Sequence, residues 1–298
     1  MKRLFILASA AIVALASCTK TQVVYTEAPE EISFKTLTGA MTKANLDLDG
    51  NTTMGVFANL ADGTVQFTNE KFISTETLWK GETTQYWPLG NAALKFAFYA
   101  PHAETNAPSY DASTTTLTIP VDNEAAQTNW LYGATIETGS KNTPVASGKP
   151  VMNHLLAKVT ISLTGGITIN SATLVDTEQN ETATIAYPAA TPVWSNGNDP
   201  VSMPLISTQT ELSNTPVEAF CYVIPSAQTS LVLNYMIGAG PAANYTLDLS
   251  GLGSWAAGKH YIYNINVEPG EITFVPAVEE WTTVPEDALF ADGVADIL

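Results

Sequence analysis

Short apolar stretches with a period of two recur along most of the chain. Lys158-Val159-Thr160-Ile161-Ser162-Leu163 alternates strictly, so an extended backbone puts Val159, Ile161 and Leu163 on one face. Lys158, Thr160 and Ser162 are then expected to face outward or pair at an edge. Ser230 to Met236 and Tyr261 to Val267 alternate in the same way, the second placing Tyr261, Tyr263, Ile265 and Val267 together. Ile32-Ser33-Phe34 is a short version of the pattern, and Met54 to Ala58 reads as a buried strand. Ala93 to Tyr99 follows a Gly-Asn turn, and Thr115 to Ile119 is expected to end at Pro120. Clusters of Gly, Asn, Asp, Pro and Ser separate these stretches every ten or so residues, the rhythm of an all-β sandwich protein. No long segment has a 3.6-residue period. Single helical turns are expected only at Met152–Ala157 and Glu124–Trp130.

Two polar tracts break the rhythm. Residues 19–31 lack a core pattern and read as a tether, while 138–150, with Gly139, Ser140, Asn142, Pro144, Gly148 and Pro150, reads as an interdomain hinge. At about 150 residues per domain the chain has room for two cores. The expected organisation is a signal peptide over 1–17, a tether over 18–31, β-sandwiches over 32–145 and 146–281, and a tail over 282–298.

The first residues change the picture from a fold to a compartment. Lys2 and Arg3 precede an apolar run, Leu4 to Ala16, of about 13 residues, shorter than the roughly 20 that span a bilayer. It closes on Leu15-Ala16-Ser17-Cys18, the lipobox of a bacterial lipoprotein, which makes Cys18 the expected lipidation site. Thr19 follows rather than an acidic residue, so the expected destination is the outer membrane, surface-exposed and lipid-anchored. The only other cysteine is Cys221, inside the apolar run Ala219 to Ile224, and it reads as a small core residue.

Charge and chemistry mostly exclude. A net charge of −17 argues against nucleic acid and anionic lipid surfaces as partners. His102, His154 and His260 are far apart in sequence and form no HExxH pair. Ser147-Gly148-Lys149-Pro150 lacks the glycine and hydroxyl residue of a phosphate loop, and no GxSxG elbow occurs. No catalytic residue, cofactor or metal site is expected, and the chain does not read as an enzyme. Six tryptophans, Trp79, Trp87, Trp130, Trp194, Trp255 and Trp281, are either core and edge residues or sugar-stacking platforms.

Several segments taken in order resemble one family. They are Ile32-Ser33-Phe34 with Thr42-Lys43-Ala44, then Thr53 to Ala58, Tyr86-Trp87-Pro88, and Leu94 to Pro101. Met152 to Val159, Val223-Ile224-Pro225 and Trp255 to Ile265 with Ile272-Thr273-Phe274 and Val278 to Trp281 complete the series. Together they resemble the fimbrillins, pilins and adhesin-like lipoproteins of Bacteroides-type bacteria. The resemblance implies two tandem transthyretin-like Greek-key sandwiches and a structural or adhesive role in a cell-surface fimbria. Other fimbrial subunits would be the partners, with a host or bacterial surface receptor for an adhesin. It implies assembly by strand exchange, in which a protease clips after a basic residue and a neighbouring subunit fills the vacated groove. Arg3 is the sole arginine, so Lys43 is the expected processing site, with Lys35 second. Leu289, Ala291, Ala295 and Ile297 would share one side of a donor strand in the tail, and a short helix or frayed end is the alternative. The competing function is a surface glycan-binding lipoprotein of a polysaccharide-uptake system.

Overall fold

The computed structural model describes residues 29–35, 52–75, 78–124, 126–143, 150–195 and 200–281. Its regular structure is almost entirely strand, in four sheets; the described helical residues are the short 3-10 turns Leu89–Asn91 and Ser250–Leu252.

The first sheet holds β1 (Ser33–Lys35), β2 (Thr53–Leu60), β3 (Val65–Ser74), β4 (Leu78–Gly81), β5 (Leu94–Ala100), β8 (Leu131–Gly133), β9 (Glu137–Gly139) and β10 (Met152–His154). Their order is β1-β4-β3-β2-β5-β8-β10, with β9 also on β5. The second sheet is β14 (Thr191–Trp194), β13 (Asn180–Ala186), β7 (Thr116–Asp122) and β6 (Ser109–Asp111), in that order. A third runs β17 (Val217–Val223), β11 (Ala157–Gly165), β20 (Lys259–Glu268), β21 (Glu271–Glu280). The fourth runs β15 (Val201–Ile206), β12 (Thr168–Thr177), β18 (Ser230–Met236), β19 (Ala243–Asp248), with β16 (Thr210–Glu211) on β12.

Three apolar clusters follow from these pairings. Met54, Val56 and Ala58 of β2 face one cluster with Phe96 and Phe98 of β5, closed over by Phe72, Trp79 and the segment around Phe34. The opposite face of the same strands, through Phe57, Ala97 and Tyr99, packs on Leu117, Ile119 and Val121 of β7 and on Ile185 of β13. Being covered on both faces is why Met54–Ala58 and Leu94–Ala100 are nearly continuous apolar runs rather than alternating ones. The third cluster fills the space between the third and fourth sheets. There Trp255 donates its indole N–H to the Tyr263 hydroxyl at 2.9 Å, which donates to Gln228 at 2.7 Å, so the buried polar groups are satisfied.

The alternation at β11 and β20 is as expected on the inner face: Val159, Ile161, Leu163, Tyr261, Tyr263, Ile265 and Val267 are all buried in the third cluster. Thr160 and Ser162 correct the outward expectation, because they are buried too. β11 is a central strand, flanked by β17 and by β20 in parallel, and its neighbours cover its outer face. Thr160 hydrogen-bonds His260 across that face at 2.8 Å. Truncation by Ile161→Ala should destabilise the protein by about 2–5 kcal/mol in chemical denaturation, as a cavity in a packed core does. A change under about half a kilocalorie would remove Ile161 from the core.

Two further expectations are corrected. Met152–Ala157 is no helical turn: Met152–His154 pairs antiparallel with β8, and β11 begins at Ala157. The described part of Glu124–Trp130 is likewise non-helical. Strand β7 also runs past Pro120 to Asp122. That is tolerated because β6 accompanies it only as far as Thr118, leaving one side of Pro120 without a partner strand to receive an N–H.

Strand pairing passes over the 145/146 position. β10 joins the first sheet, and the β13–β14 hairpin lies on β7 through seven register pairs, from Asn180↔Asp122 to Ala186↔Thr116. The division into two sandwiches stands as a proposal about cores, with a hairpin of the later segment completing a core of the earlier one. At the far end of β11, Gly165 sits opposite Val267 with φ +142°. A Cβ there would fall on the carbonyl oxygen of Val267, well inside contact distance.

Candidate functional site

The rim of the first sheet is the most unusual part of the fold. β1 is only three residues long and, among the described residues, pairs only with β4, through Ser33↔Lys80, Phe34↔Trp79 and Lys35↔Leu78. Yet its segment buries two large side chains almost completely, Ile32 at 0% and Phe34 at 2% exposure. The Phe34 ring lies 5.3 Å from Phe72, 5.3 Å from Phe96 and 5.1 Å from Phe98, the last two edge-on. Such edge-to-face contacts add to simple burial. Backbone bonds fasten the approach to β1: Ile32 donates to Gln85 at 2.7 Å, and Trp87 donates to Glu30 at 3.0 Å. Lys80 and Glu31 form an ion pair at 3.2 Å. The segment is thus a short plug in an apolar groove whose walls are Phe72, Trp79, Trp87, Phe96 and Phe98.

The edge strand of the third sheet is built differently. β21 pairs with β20 over ten residues and forms the border of the third sheet. It carries Glu271, Pro276, Glu279 and Glu280, and charges and proline are what discourage further strand pairing. Beyond it Trp281 stacks on His154 at 3.7 Å and on Tyr222 at 5.4 Å.

Cys18, Lys43 and the tail 282–298 lie outside the described residues, as does 144–149 of the expected hinge. Lys35 is the last residue of β1. The three histidines sit in separate surroundings: His102 near the Asn69 carbonyl at 3.2 Å, His154 against Asn129 at 3.1 Å, and His260 on Thr160. Desolvation, and then the nearby Lys158 ammonium, hold His260 below the usual imidazole range. Among the described residues no group of three or more His, Cys, Asp or Glu is placed to hold a metal ion. Cys221 is buried in the third cluster, which pushes its thiol up to about 12 and leaves it unreactive. Trp79, Trp87, Trp130 and Trp255 are buried, so these four offer no open face to a sugar. Among the described residues no helix is long and apolar enough to cross a membrane.

Residues 36–281 match the profile of the fimbrillin-like family. Among solved structures, one from Bacteroides uniformis assigned to cell adhesion superposes with a TM-score of 0.63 at 18% identity, covering 86% of this chain and 99% of that one. A fimbrial protein from Bacteroides vulgatus gives 0.53 at 14%, covering 81% and 96%. Another from Bacteroides ovatus, also assigned to cell adhesion, gives 0.55 at 13%, covering 86% and 99%. At these identities the likeness is one of fold. A comparison with curated protein sequences finds no match.

Proposed function

The chain belongs to the fimbrillin-like family, and from that membership and the seating of β1 we propose that it is a structural or adhesive subunit of a cell-surface fimbria, exported as a lipoprotein and assembled by strand exchange. Membership places it among fimbrial proteins, with other fimbrial subunits as partners. The observation that carries the finer reading is the plug: three ladder pairs at a sheet edge, but two fully buried anchors, Ile32 and Phe34. Each anchor contributes about 1.5–3 kcal/mol of burial, so the plug is held by its side chains more than by its ladder.

Cutting after Lys43 would disconnect β1 from β2. Loss of β1 would then uncover the aromatic walls of the groove and the free edge of β4 together. An incoming strand with alternating apolar residues would satisfy both, through main-chain bonds along the edge and side chains in the groove. Residues 282–298 supply such alternation at Leu289, Ala291, Ala295 and Ile297, and Cys18 would hold the precursor at the outer membrane until the cut. Without that cut the lipid would remain, and the protein would serve as an anchor subunit or a monomeric adhesin.

The test is to treat purified precursor with a lysine-specific protease, beside a version ending at Trp281. The full-length chain should give a ladder of oligomers that survives mild detergent, and the shortened chain should not. Equal ladders from both would remove the tail as donor. A clean cut at Lys43 with no oligomer from either would overturn strand exchange.

A further inference from the structure

A second feature lies at the end of the cluster shared by the first two sheets. A cleft of about 690 Å³ opens between the β2–β3 turn and the β6–β7 turn. That is within the range of small-molecule sites, roughly 300–1,000 Å³. Its walls combine four kinds of group. Tyr110 is half-buried on β6, backed by Phe57 with ring centroids 5.9 Å apart, so one aromatic ring reaches the cleft and is held rigid from behind. Asp62 and Asp111 flank the opening, each fixed by its own turn: Thr64 donates to Asp62 at 2.9 Å, and Ser113 donates to Asp111 through N–H at 2.8 Å and hydroxyl at 2.7 Å. Those bonds hold both carboxyls below the usual carboxylate range. Thr68 adds a hydroxyl, and among the described residues no Lys, Arg or His lines the cleft.

The fourth group is the informative one. Asn59 continues the row Gly55-Phe57-Asn59 on the face of β2 that elsewhere packs into the core. It is only 5% exposed, yet its side-chain amide makes no hydrogen bond within the described residues. The amide nitrogen and oxygen are not among the buried unpaired polar atoms of the described residues, so they open onto the cleft with donors and an acceptor available to solvent or a ligand. Tyr110 likewise donates its hydroxyl to no described residue.

We propose that this cleft binds an uncharged saccharide, the sugar's C–H face resting on Tyr110 and its hydroxyls bonding Asn59, Asp62 and Asp111. The amide can donate and accept at once, carboxylates accept from two adjacent hydroxyls, and an aromatic ring covers the apolar side of a pyranose. Two fixed negative charges without a basic neighbour disfavour sialylated or sulfated sugars. This goes beyond the fimbrial reading, and because the cleft is complete within one subunit its test needs no assembly.

Saturation-transfer NMR on the intact, uncut chain would use lactose, N-acetyllactosamine, cellobiose, maltose and 3′-sialyllactose, all in EDTA. At least one neutral sugar should give a signal and 3′-sialyllactose none. Asn59→Ala and Tyr110→Ala should each weaken the neutral sugar by roughly tenfold or more, as a lost buried hydrogen bond or stacking ring does. The double variant Asp62→Asn, Asp111→Asn keeps the turn-forming oxygens and should begin to admit 3′-sialyllactose, which guards against misfolding as an explanation. Silence from every neutral sugar, or undiminished binding in a folded Asn59→Ala protein, would overturn the proposal. So would a signal that appears only when calcium replaces EDTA, since the carboxylates would then be holding a cation rather than a sugar.

Discussion

Gly165→Ala is expected to destabilise the protein by roughly 2–5 kcal/mol, from backbone strain and steric overlap acting together. Gly165 adopts φ +142°, a conformation open to glycine and strained for alanine. Its missing side chain also makes room for the parallel approach of β20, since an added Cβ would land on the Val267 carbonyl. Backbone on both sides leaves no flexible group to move aside. Gly166 next to it is the internal control. An added Cβ there meets only the carboxylate end of Glu268 at 3.1 Å, which can swing away, so Gly166→Ala should change stability by well under 1 kcal/mol. Urea denaturation of the two variants side by side would check this. Equal effects would mean the β11–β20 register is not as described.

Phe34→Ala should cost about 3–5 kcal/mol, the range for truncating a buried aromatic. The effect belongs to an unusually small element. Three ladder pairs cannot hold β1 against thermal opening once the ring has gone from among Phe72, Phe96 and Phe98. The variant should therefore lose hydrogen-exchange protection along Ser33–Lys35 before the rest of the first sheet does. A loss of under half a kilocalorie, with β1 still protected, would show that Phe34 is not the anchor of the plug.

The strands readable in the sequence were those with a strong contrast between faces, such as Lys158–Leu163 and Tyr261–Val267, or with an unbroken apolar run, such as Met54–Ala58. β3 and β13 carry too many polar residues for that, because each gives one face largely to solvent. Ile32 and Phe34 could be seen as a strand, but not the groove that holds them. Trp79 and Phe72 reach it from β4 and β3, whose pairing depends on hairpin geometry rather than on local pattern. The burial of Thr160 and Ser162 depends on β11 lying in the middle of its sheet, and sequence alternation reports faces, not rank within a sheet. The cleft left one trace in the sequence: Asn59 in an apolar row just before Ala61-Asp62-Gly63. Read locally that is only a turn, and its partner Tyr110 arrives from a strand some fifty residues later.

The hairpin that crosses to β7 bears on the order in which this chain can become folded. Until Asn180–Ala186 arrives, β7 has only β6 beside it, and β6 is three residues long. Leu117, Ile119 and Val121 then lie under a half-built sheet, and the long edge of β7 has unpaired main-chain groups. A nascent chain emerging from its amino end would make the cluster around Phe96 and Phe98 early, from contacts within its first hundred or so residues. The cluster beneath β7 would have to wait for a segment roughly sixty residues downstream, and long-range pairings of that kind are slow to form. The interval is a window in which a sticky edge is open to neighbours. For an exported chain the exposed interval runs from the emergence of Asp122 across the membrane to that of Ala186, and chaperone escort there would shield the edge of β7.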